Sequence, residues 1–496
     1  MLFHSLSYAA LLLSAVLICC IVGGTHRWLV LLAASVAFYV AWRPEYFLLL
    51  LLTASSCHFG ARLLQCVQRI VLRRLILAVV VASNLLVLML YKYYGLFAQS
   101  ANGLFGVELP IDLGLLLPVG ISFYTFQAIG YVADVYQRRI ESESSWLRSV
   151  LFVSFFPQLV AGPIERAGNL IPALRAPIWF RWRNVRLGCW LVLWGLFKKV
   201  VIADRLSLLV DFAYQTPDEQ GGGLLLLASY AFAFQIYCDF SGYTDMAIGS
   251  AKIFGIDLMA NFRFPYAARS IREFWSRWHI SLTTWFRDYL YIPLGGNRVT
   301  TQRWVFNILV VFAISGLWHG AKWTFVIWGL IHGTLLLVET AVISIARKSN
   351  DESQNLSALG EPTLVAWKYQ AWCAAWNGVR ILITFHIVLL AWVFFRADKL
   401  GDAMKVIQIV ASELSSNAFG FFDIVLPSVF SRFEMAVAIL GLCWMCLIEI
   451  PLRGNVSRVV GIRPREIGKG IIIATGLLVL NFGVFSNPTQ FVYFQF

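Results

Sequence analysis

The residue best suited to chemistry in this sequence is a histidine at the end of an apolar segment. His319 lies in the stretch Gly316-Leu-Trp-His-Gly320, about twenty residues after a basic, tryptophan-rich run from Arg269 to Arg298. An ionisable side chain in a bilayer costs about 2.5 kcal/mol or more unless protein shelters it, so it is a functional candidate. Burial favours the neutral imidazole, which can accept a proton. We therefore predict that His319 is a general base; the alternative is a core histidine bonded to a carbonyl group.

The sequence around the other histidines in apolar or aromatic surroundings indicates a functional role less strongly. His279 lies between Trp278 and Ile280 on the basic run, where it either faces the mouth of a site or belongs to the core. His332 and His386 lie within smooth apolar segments, which favours a structural role. We predict a catalytic pair, His319 with His279.

A polar patch interrupts the apolar residues between 237 and 246. It contains Asp239, Tyr243 and Asp245, and we expect the helix to break at Gly242. Irregular polar backbone at membrane depth is tolerated where it is buried in protein or lines a water-filled cavity. We predict that these three residues, with Trp318 as a wall, line a substrate tunnel that leads to His319. The alternative is that they make hydrogen bonds between packed helices.

The basic run suits an anionic ligand. Residues 261–303 contain seven arginines against two acidic residues, a net charge of +5. The guanidinium group matches phosphate geometry, so we predict that Arg272, Arg277 and Arg287 bind an anionic acyl donor such as coenzyme A or an acyl-carrier protein. Four aromatic residues, Phe274, Trp275, Trp278 and Trp285, form a helical stripe expected to lie in the headgroup zone. The alternative reading is a juxtamembrane anchor that binds only lipid.

The composition places these residues in a polytopic membrane protein. Of 496 residues, 59% are hydrophobic and 14% charged, and the mean hydropathy is +0.71, whereas a soluble chain is about half apolar and a quarter charged. We expect no cleavable signal peptide and no internal repeat. The predicted membrane spans are 6–22, 28–42, 46–59, 75–91, 113–133, 187–203, 223–241, 304–318, 323–346, 379–395, 433–450 and 471–486.

Charge placement predicts the orientation. Basic clusters occur at 62–74, 137–148, 163–186, 262–303, 347–368 and 451–469, whereas 204–223 has four acidic residues and one arginine. By the positive-inside rule the basic clusters face the cytoplasm and 204–223, expected to be a loop, faces out. Both termini are then outside, provided that the short pieces 147–161 and 244–257 do not cross.

Two other classes of function compete with an enzyme. A transporter would need inverted repeats or a chain of ionisable residues across the spans, whereas the polar groups concentrate at 237–246 and His319. A haem or metal protein would need histidines on facing helices with ligand spacing, and none is evident. The Cys443-Trp-Met-Cys446 spacing favours two buried thiols over a redox or metal pair. We predict no metal site and no bound cofactor.

Three long motifs give the chain a family resemblance. They are YCDFSGYTDMAIG (237–249), NFRFPYAARSIREFWSRWHISLTTWFRDYLYIPLGGNR (261–298) and SGLWHGAKWT (315–324). The chain resembles the membrane-bound O-acyltransferases, and among them the bacterial polysaccharide O-acetylases of the alginate type. The runs LLPVGISFYTFQAIGYVADVY (116–136), FFPQLVAGPIER (155–166) and FVYFQF (491–496) fit as well, so the resemblance extends over essentially the whole chain.

The resemblance implies a fold and an activity. We expect one all-α domain over 1–496, with its core at about 113–346 and C-terminal spans at 379–486. About 11–13 helices, some short or re-entrant, would form a ring around a central funnel at His319. The implied enzyme takes an acetyl group from cytoplasmic acetyl-CoA, or another acyl thioester, and passes it across the bacterial inner membrane to O-acetylate an exported polysaccharide. A periplasmic acetyltransferase is the expected partner, and D-alanyl or other acyl transfer is the alternative.

Overall fold

The described part of the chain is mainly helical. A computed structural model describes residues 3–177, 180–354, 366–416, 424–462 and 465–485. These residues form nineteen α-helices and no β-strand, which confirms the all-α prediction. The terminal motif at 491–496 lies outside the described residues.

The first ten helices lie in the N-terminal half. They are α1 (Leu6–Ile21), α2 (Arg27–Val40), α3 (Pro44–Cys66), α4 (Ile70–Leu88), α5 (Tyr94–Phe105), α6 (Ile121–Tyr136), α7 (Trp146–Ser154), α8 (Ala167–Arg175), α9 (Trp182–Phe197) and α10 (Asp204–Gln215). A π-helical turn, Met89–Tyr93, joins α4 to α5, and another, Lys198–Ala203, joins α9 to α10.

The remaining helices complete the bundle. They are α11 (Gly222–Ile253), α12 (Ile271–Arg277), α13 (Ile280–Phe286), α14 (Thr301–His319), α15 (Trp323–Gln354), α16 (Ala366–Arg396), α17 (Leu400–Ser416), α18 (Arg432–Glu449) and α19 (Arg465–Phe482). Five helical segments in the described residues are long and apolar enough to cross a membrane: Pro44–Cys66, Ile70–Phe105, Gly222–Ile253, Trp323–Ile345 and Ala375–Arg396.

The predicted break at Gly242 is wrong. α11 runs for 32 residues through the polar patch, and so 244–257 is largely its continuation and not a separate re-entrant piece. Gly242 serves close packing: a Cβ there would lie 2.7 Å from the carbonyl oxygen of Gly195 on α9. Gly188 and Gly249 meet in the same way, at 2.6 Å. The helix is continuous, and its two aspartates, Asp239 and Asp245, pair with Lys199 and Lys198.

Other short segments are sheltered by protein. α7 has only nine residues, and the irregular chain from 155 to 164 after it is buried, so 147–161 does not form a spanning helix. Residues 106–120 are not helical, and the predicted span 113–133 is reduced to α6, which is buried almost throughout. Short or broken segments at membrane depth require such cover.

The predicted acidic loop at 204–223 is largely helical. α10 occupies its first part, and Asp204 is 1% exposed and ion-paired with Lys199 at 2.7 Å. Asp211 and Asp218 instead pair with exposed or partly exposed basic groups, Arg396 and Lys405. The four acidic residues counted for the predicted outward-facing loop therefore include one, Asp204, that belongs to the core.

The aromatic stripe of the basic run does not lie on the surface. Phe274, Trp275, Trp278 and Trp285 are 0–7% exposed and pack inside the protein. Trp278 lies 5.0 Å from the ring centroid of Trp392 on α16, and Trp285 stacks on Phe126 at 4.0 Å. An aromatic stripe suits a lipid headgroup layer and a protein interior equally well, and here neighbouring helices provide the apolar partner.

Candidate active site

His319 lies at the tip of a tight helical hairpin. It is the last residue of α14, and α15 starts four residues later at Trp323. The two backbones touch: a Cβ at Gly316 would lie 2.1 Å from the Phe325 carbonyl oxygen, and one at Gly329 would lie 2.1 Å from that of Phe312. Small residues at such spacing let membrane helices approach closely. The hairpin thus fixes where the His319 backbone lies.

His279 reaches the same place from a strained turn between α12 and α13. Its backbone is left-handed, with φ 40° and ψ 54°, a conformation that a non-glycine residue adopts at some cost. Asn261 holds the turn. Its carbonyl accepts from the Ile280 N–H at 2.9 Å, and its side chain accepts from the Ser281 hydroxyl at 2.6 Å. The imidazole is 0% exposed, and neither ring nitrogen has a hydrogen-bond partner among the described residues.

The two histidines meet inside a shell of aromatic rings. The ring centroids of His279 and His319 are 6.1 Å apart, and His319 is 1% exposed. We call these two residues and the rings around them the histidine cluster; the rings belong to Phe123, Phe240, Phe262, Trp318, Trp328 and Phe395. Trp318 lies 5.4 Å from His279 and 5.0 Å from His319. The predicted residues His279, His319 and Trp318 therefore come together.

A lysine that the sequence analysis did not consider supports the hairpin tip. Lys92, in the π-helical turn before α5, donates hydrogen bonds to the carbonyl oxygens of Trp318 at 2.7 Å and His319 at 3.3 Å. It also donates to the Ser122 hydroxyl at 3.4 Å. A side-chain N–H donor at a helix C-terminus satisfies carbonyls that lack partners in the helix. Lys92 thus fixes the carbonyl end of α14 beside the histidine cluster.

His332 and His386 have different surroundings. His332 is buried on α15 between Trp328 and Trp275, whose ring centroids lie 5.0 and 5.1 Å from its own. His386 hydrogen-bonds Tyr230 and the Leu382 carbonyl, each at 2.7 Å, as a structural histidine does. Among the described residues, no group of three or more His, Cys, Asp or Glu side chains is placed to hold a metal ion.

The other three predicted tunnel residues take part in a buried charge cluster. Asp239 pairs with Lys199 at 2.7 Å, and Asp245 pairs with Lys198 at 2.5 Å. Lys198 also contacts Glu449 of α18 at 3.4 Å. Tyr243 contacts the His4 ring through its hydroxyl at 3.2 Å. On α11 it is Phe240, 4.7 Å from His279, that reaches the histidine cluster, while Asp239 is 1% exposed and ion-paired.

The predicted donor-binding arginines are spread along the run. Arg272 donates to Thr340, and Arg287 pairs with Asp288 and is 59% exposed. Arg277 pairs with Glu273 and lines a cavity of about 730 Å³. A second cavity of about 510 Å³ shares Arg263 and Arg453 with the first. We call the two cavities together the arginine cleft; its arginines are 263, 269, 277, 453 and 458.

The arginine cleft joins two distant basic segments. Gly454, with φ 71°, packs against the backbone of residues 263 and 264, and a Cβ there would lie 2.8 Å from the Phe264 nitrogen. This contact brings Arg453 to Arg263, although 190 residues separate them. Asn261, which holds the His279 turn, also lines the cleft, as does Asp245. The sequence showed both basic clusters but no signal that they meet.

A buried acid, Glu165, lies in the loop that contacts the His279 turn. Glu165, in the loop after α7 and outside the spanning helices, is 3% exposed and accepts from the Met259 N–H. Burial raises the pKa of Glu165 to about 7. The neighbouring Ile164 N–H donates to the Ser281 hydroxyl at 3.0 Å, so the loop at 155–166 also supports the His279 turn.

Comparisons with known proteins identify the family of the chain. Residues 139–360 match the model of the membrane-bound O-acyltransferase family. The chain is 38% identical to a peptidoglycan O-acetyltransferase of Helicobacter pylori, over 77% of this chain and 72% of that protein. It is 38% identical to a probable alginate O-acetylase of Pseudomonas aeruginosa, over 79% and 71%. A teichoic acid D-alanyltransferase of Bacillus subtilis is 27% identical, over 56% and 68%.

The match to the family model contains both histidines of the cluster, and relatives of this identity cover most of the chain. Together with the apolar helices, these findings show that the chain belongs to the membrane-bound O-acyltransferase family and is a membrane O-acetyltransferase.

Proposed function

We propose that this enzyme transfers an acetyl group from acetyl-CoA, or a related acyl thioester, in the cytoplasm to a hydroxyl group that approaches from outside, with His319 as general base. The observation that carries the proposal is the pairing of His319 with His279, 6.1 Å between ring centroids, in an aromatic interior. Two imidazoles from separate segments converge there, and burial favours their neutral forms. In this proposal the enzyme resides in the bacterial inner membrane.

The reaction needs one proton acceptor and no bound cofactor. His319 takes the proton from the acceptor hydroxyl while the oxygen attacks the thioester carbonyl carbon. The C–S bond then breaks, and the leaving thiolate receives the proton from the imidazolium, so that an ester and a thiol are formed. His279, held by Asn261, would bind the carbonyl oxygen or orient the acceptor. A group held this way adds no reorganisation cost during the reaction.

The arginine cleft is the proposed donor site. Its five arginines could neutralise the phosphates of coenzyme A, which guanidinium groups bind in a bidentate manner. Asn261 lines the cleft and hydrogen-bonds the two residues after His279, so a donor bound there would lie close to the histidine cluster. Of the three arginines predicted from sequence, this proposal keeps Arg277 and assigns Arg272 and Arg287 no direct donor contact.

The acceptor is proposed from the relatives. Their names specify peptidoglycan and alginate as the molecules that they acetylate. For this chain we propose an exported polysaccharide, reached directly or through the serine of a periplasmic acetyltransferase partner.

The membrane face at which the enzyme accepts acetyl-CoA tests the proposal. In sealed inside-out vesicles, radiolabelled acetyl-CoA added outside meets the cytoplasmic face, and we expect acetyl transfer to acceptor trapped in the lumen. Right-side-out vesicles should show no transfer until they are permeabilised.

The arginine cleft is tested by variants. Arg263→Gln with Arg453→Gln should raise the KM for acetyl-CoA, whereas Arg287→Gln, away from the cleft, should not. Equal transfer by both kinds of sealed vesicle would contradict a cytoplasmic donor, and an unchanged KM would exclude the cleft.

A further inference from the structure

A groove between α9 and α19 combines a basic rim with apolar walls. Its volume is about 560 Å³, and nine of its fourteen lining residues are apolar. The basic members are Arg186, Arg465 and Lys469, and none of the described residues that line the groove is acidic. None of the three forms an ion pair with any residue that the structure describes. The groove shares no lining residue with the arginine cleft.

The basic and apolar residues are separated along the helix axes. Arg186 and Arg465 lie in the first two turns of α9 and α19, whereas Leu193 and Ile472 lie two turns further on. Both helices therefore begin at the rim, where their dipoles add to the positive potential. Trp182 at the start of α9 is 71% exposed, a position typical of the interfacial aromatic belt.

We propose that this groove is a binding site for an anionic phospholipid. The phosphate would lie among Arg186, Arg465 and Lys469, and the acyl chains would extend along Leu193 and Ile472. Basic pockets between membrane helices on the cytoplasmic side suit anionic headgroups. The segment 451–469 is one of the basic clusters that the charge bias places on that side. The apolar walls favour a lipid over a soluble phosphate compound, which would leave them unoccupied.

The test is lipid binding by the purified full-length protein in detergent. Phosphatidylglycerol should raise the thermal unfolding midpoint in a saturable manner, and phosphatidylcholine or inorganic phosphate at the same concentration should not. Arg186→Gln, Arg465→Gln and Lys469→Gln together should raise the half-saturating lipid concentration at least tenfold, since each basic group near a membrane surface contributes about fivefold. The control variant, Arg62→Gln with Arg69→Gln and Arg74→Gln, removes the same charge from exposed positions and should bind normally.

Cysteine labelling keeps the test decisive if the triple variant folds poorly. Cys189 is an exposed thiol in the groove wall, and Cys66 is an exposed thiol elsewhere. In the wild-type protein, phosphatidylglycerol should slow maleimide modification of Cys189 severalfold and leave that of Cys66 unchanged, as read by peptide mass spectrometry. Equal effects on both thiols, equal stabilisation by phosphatidylcholine, saturation by phosphate alone, or equal loss in the two triple variants would overturn the proposal.

Discussion

Two residues hold the histidine cluster in place from different directions. Asn261 supports the backbone of the His279 turn, and Lys92 holds the carbonyl groups of residues 318 and 319. Neither role is visible from composition, since asparagine and lysine are ordinary surface residues. Both act through hydrogen bonds to backbone, which determine where an imidazole lies without touching it.

Lys92 therefore serves as a positioning residue. Lys92→Met should lower kcat for acetyl transfer about 10–100-fold, because leaving buried carbonyl groups without a donor costs about 1–3 kcal/mol and 1.4 kcal/mol corresponds to a factor of ten. The KM for the acyl donor should not change, because the arginine cleft is intact. Steady-state kinetics at matched protein levels would show this. Lys92→Gln, which keeps a donor, should recover part of kcat; a change confined to KM would disprove the positioning role.

Glu165 predicts a pH effect on stability. Its pKa is raised by burial to about 7, above the value of about 4.3 for an unfolded chain. Between these two pKa values, Glu165 is protonated in the folded state and ionised in the unfolded state. The contribution of Glu165 to stability is therefore greatest below pH 4 and is lost as the pH rises through 7. Between those values the unfolding free energy should fall by up to about 1.4 kcal/mol per pH unit.

The difference between wild type and Glu165→Gln isolates this effect. Thermal unfolding of the two proteins in detergent should show the variant gaining relative stability from pH 5 to pH 8. Parallel pH profiles would mean that Glu165 is ionised in the folded protein.

At the scale of elements, glycine contacts set the relative positions of α14, which ends at His319, and α15. Gly329→Ala should separate α14 from α15, because its Cβ would lie 2.1 Å from the Phe312 carbonyl oxygen and the backbone has to move. We expect a loss of about 1–3 kcal/mol in stability, typical of overpacking, together with lower acetyl transfer. Gly476→Ala on α19 is the control, since nothing lies within 4 Å of a Cβ there. Thermal unfolding that ranks the two variants equally would refute the close hairpin contact.

The buried charge cluster makes a second prediction for the elements. Lys198, in the π-helical turn after α9, joins this turn to α11 and α18 through Asp245 and Glu449; Lys198 and Glu449 are each 2% exposed, and Asp245 is 18% exposed at the arginine cleft. Lys198→Met leaves the buried Glu449 and the partly exposed Asp245 without their cation and should cost about 3–5 kcal/mol in a denaturant titration. Lys405→Met breaks an exposed Lys–Asp pair of similar length, 2.6 Å, and should change stability little. Similar effects of the two substitutions would mean that water screens the Lys198 site.

At the scale of the whole molecule, the sequence predicted the spans far better than their packing. Apolar length follows from the thickness of a bilayer, so most of the predicted spans coincide with helices. The polar contacts between helices could not be predicted in this way. Glu449 contacts Lys198, which is 251 residues away in the sequence, and no local sequence pattern indicates that contact. For the same reason Arg453 was not assigned to the site with Arg277.

The errors at this scale have a common cause. A glycine between two aspartates indicated a break, and an aromatic stripe indicated the membrane surface, because each pattern was judged without neighbouring helices. In the structure, Gly242 packs on Gly195 and the stripe packs on α15 and α16. His319 was chosen as a candidate from the sequence alone, because a histidine between glycines in an apolar segment is unusual by itself, and its role as a base stays a prediction.

The central claim is that His319 is the base of the acetyl transfer. The most direct measurement is the initial rate of acetyl transfer from acetyl-CoA to acceptor by His319→Ala, in inside-out vesicles with the protein at wild-type level. Loss of a general base typically costs 10²–10⁴-fold, so we expect a residual rate of about one hundredth or less. A residual rate above about one tenth, with normal protein level and donor KM, would contradict the assignment of His319.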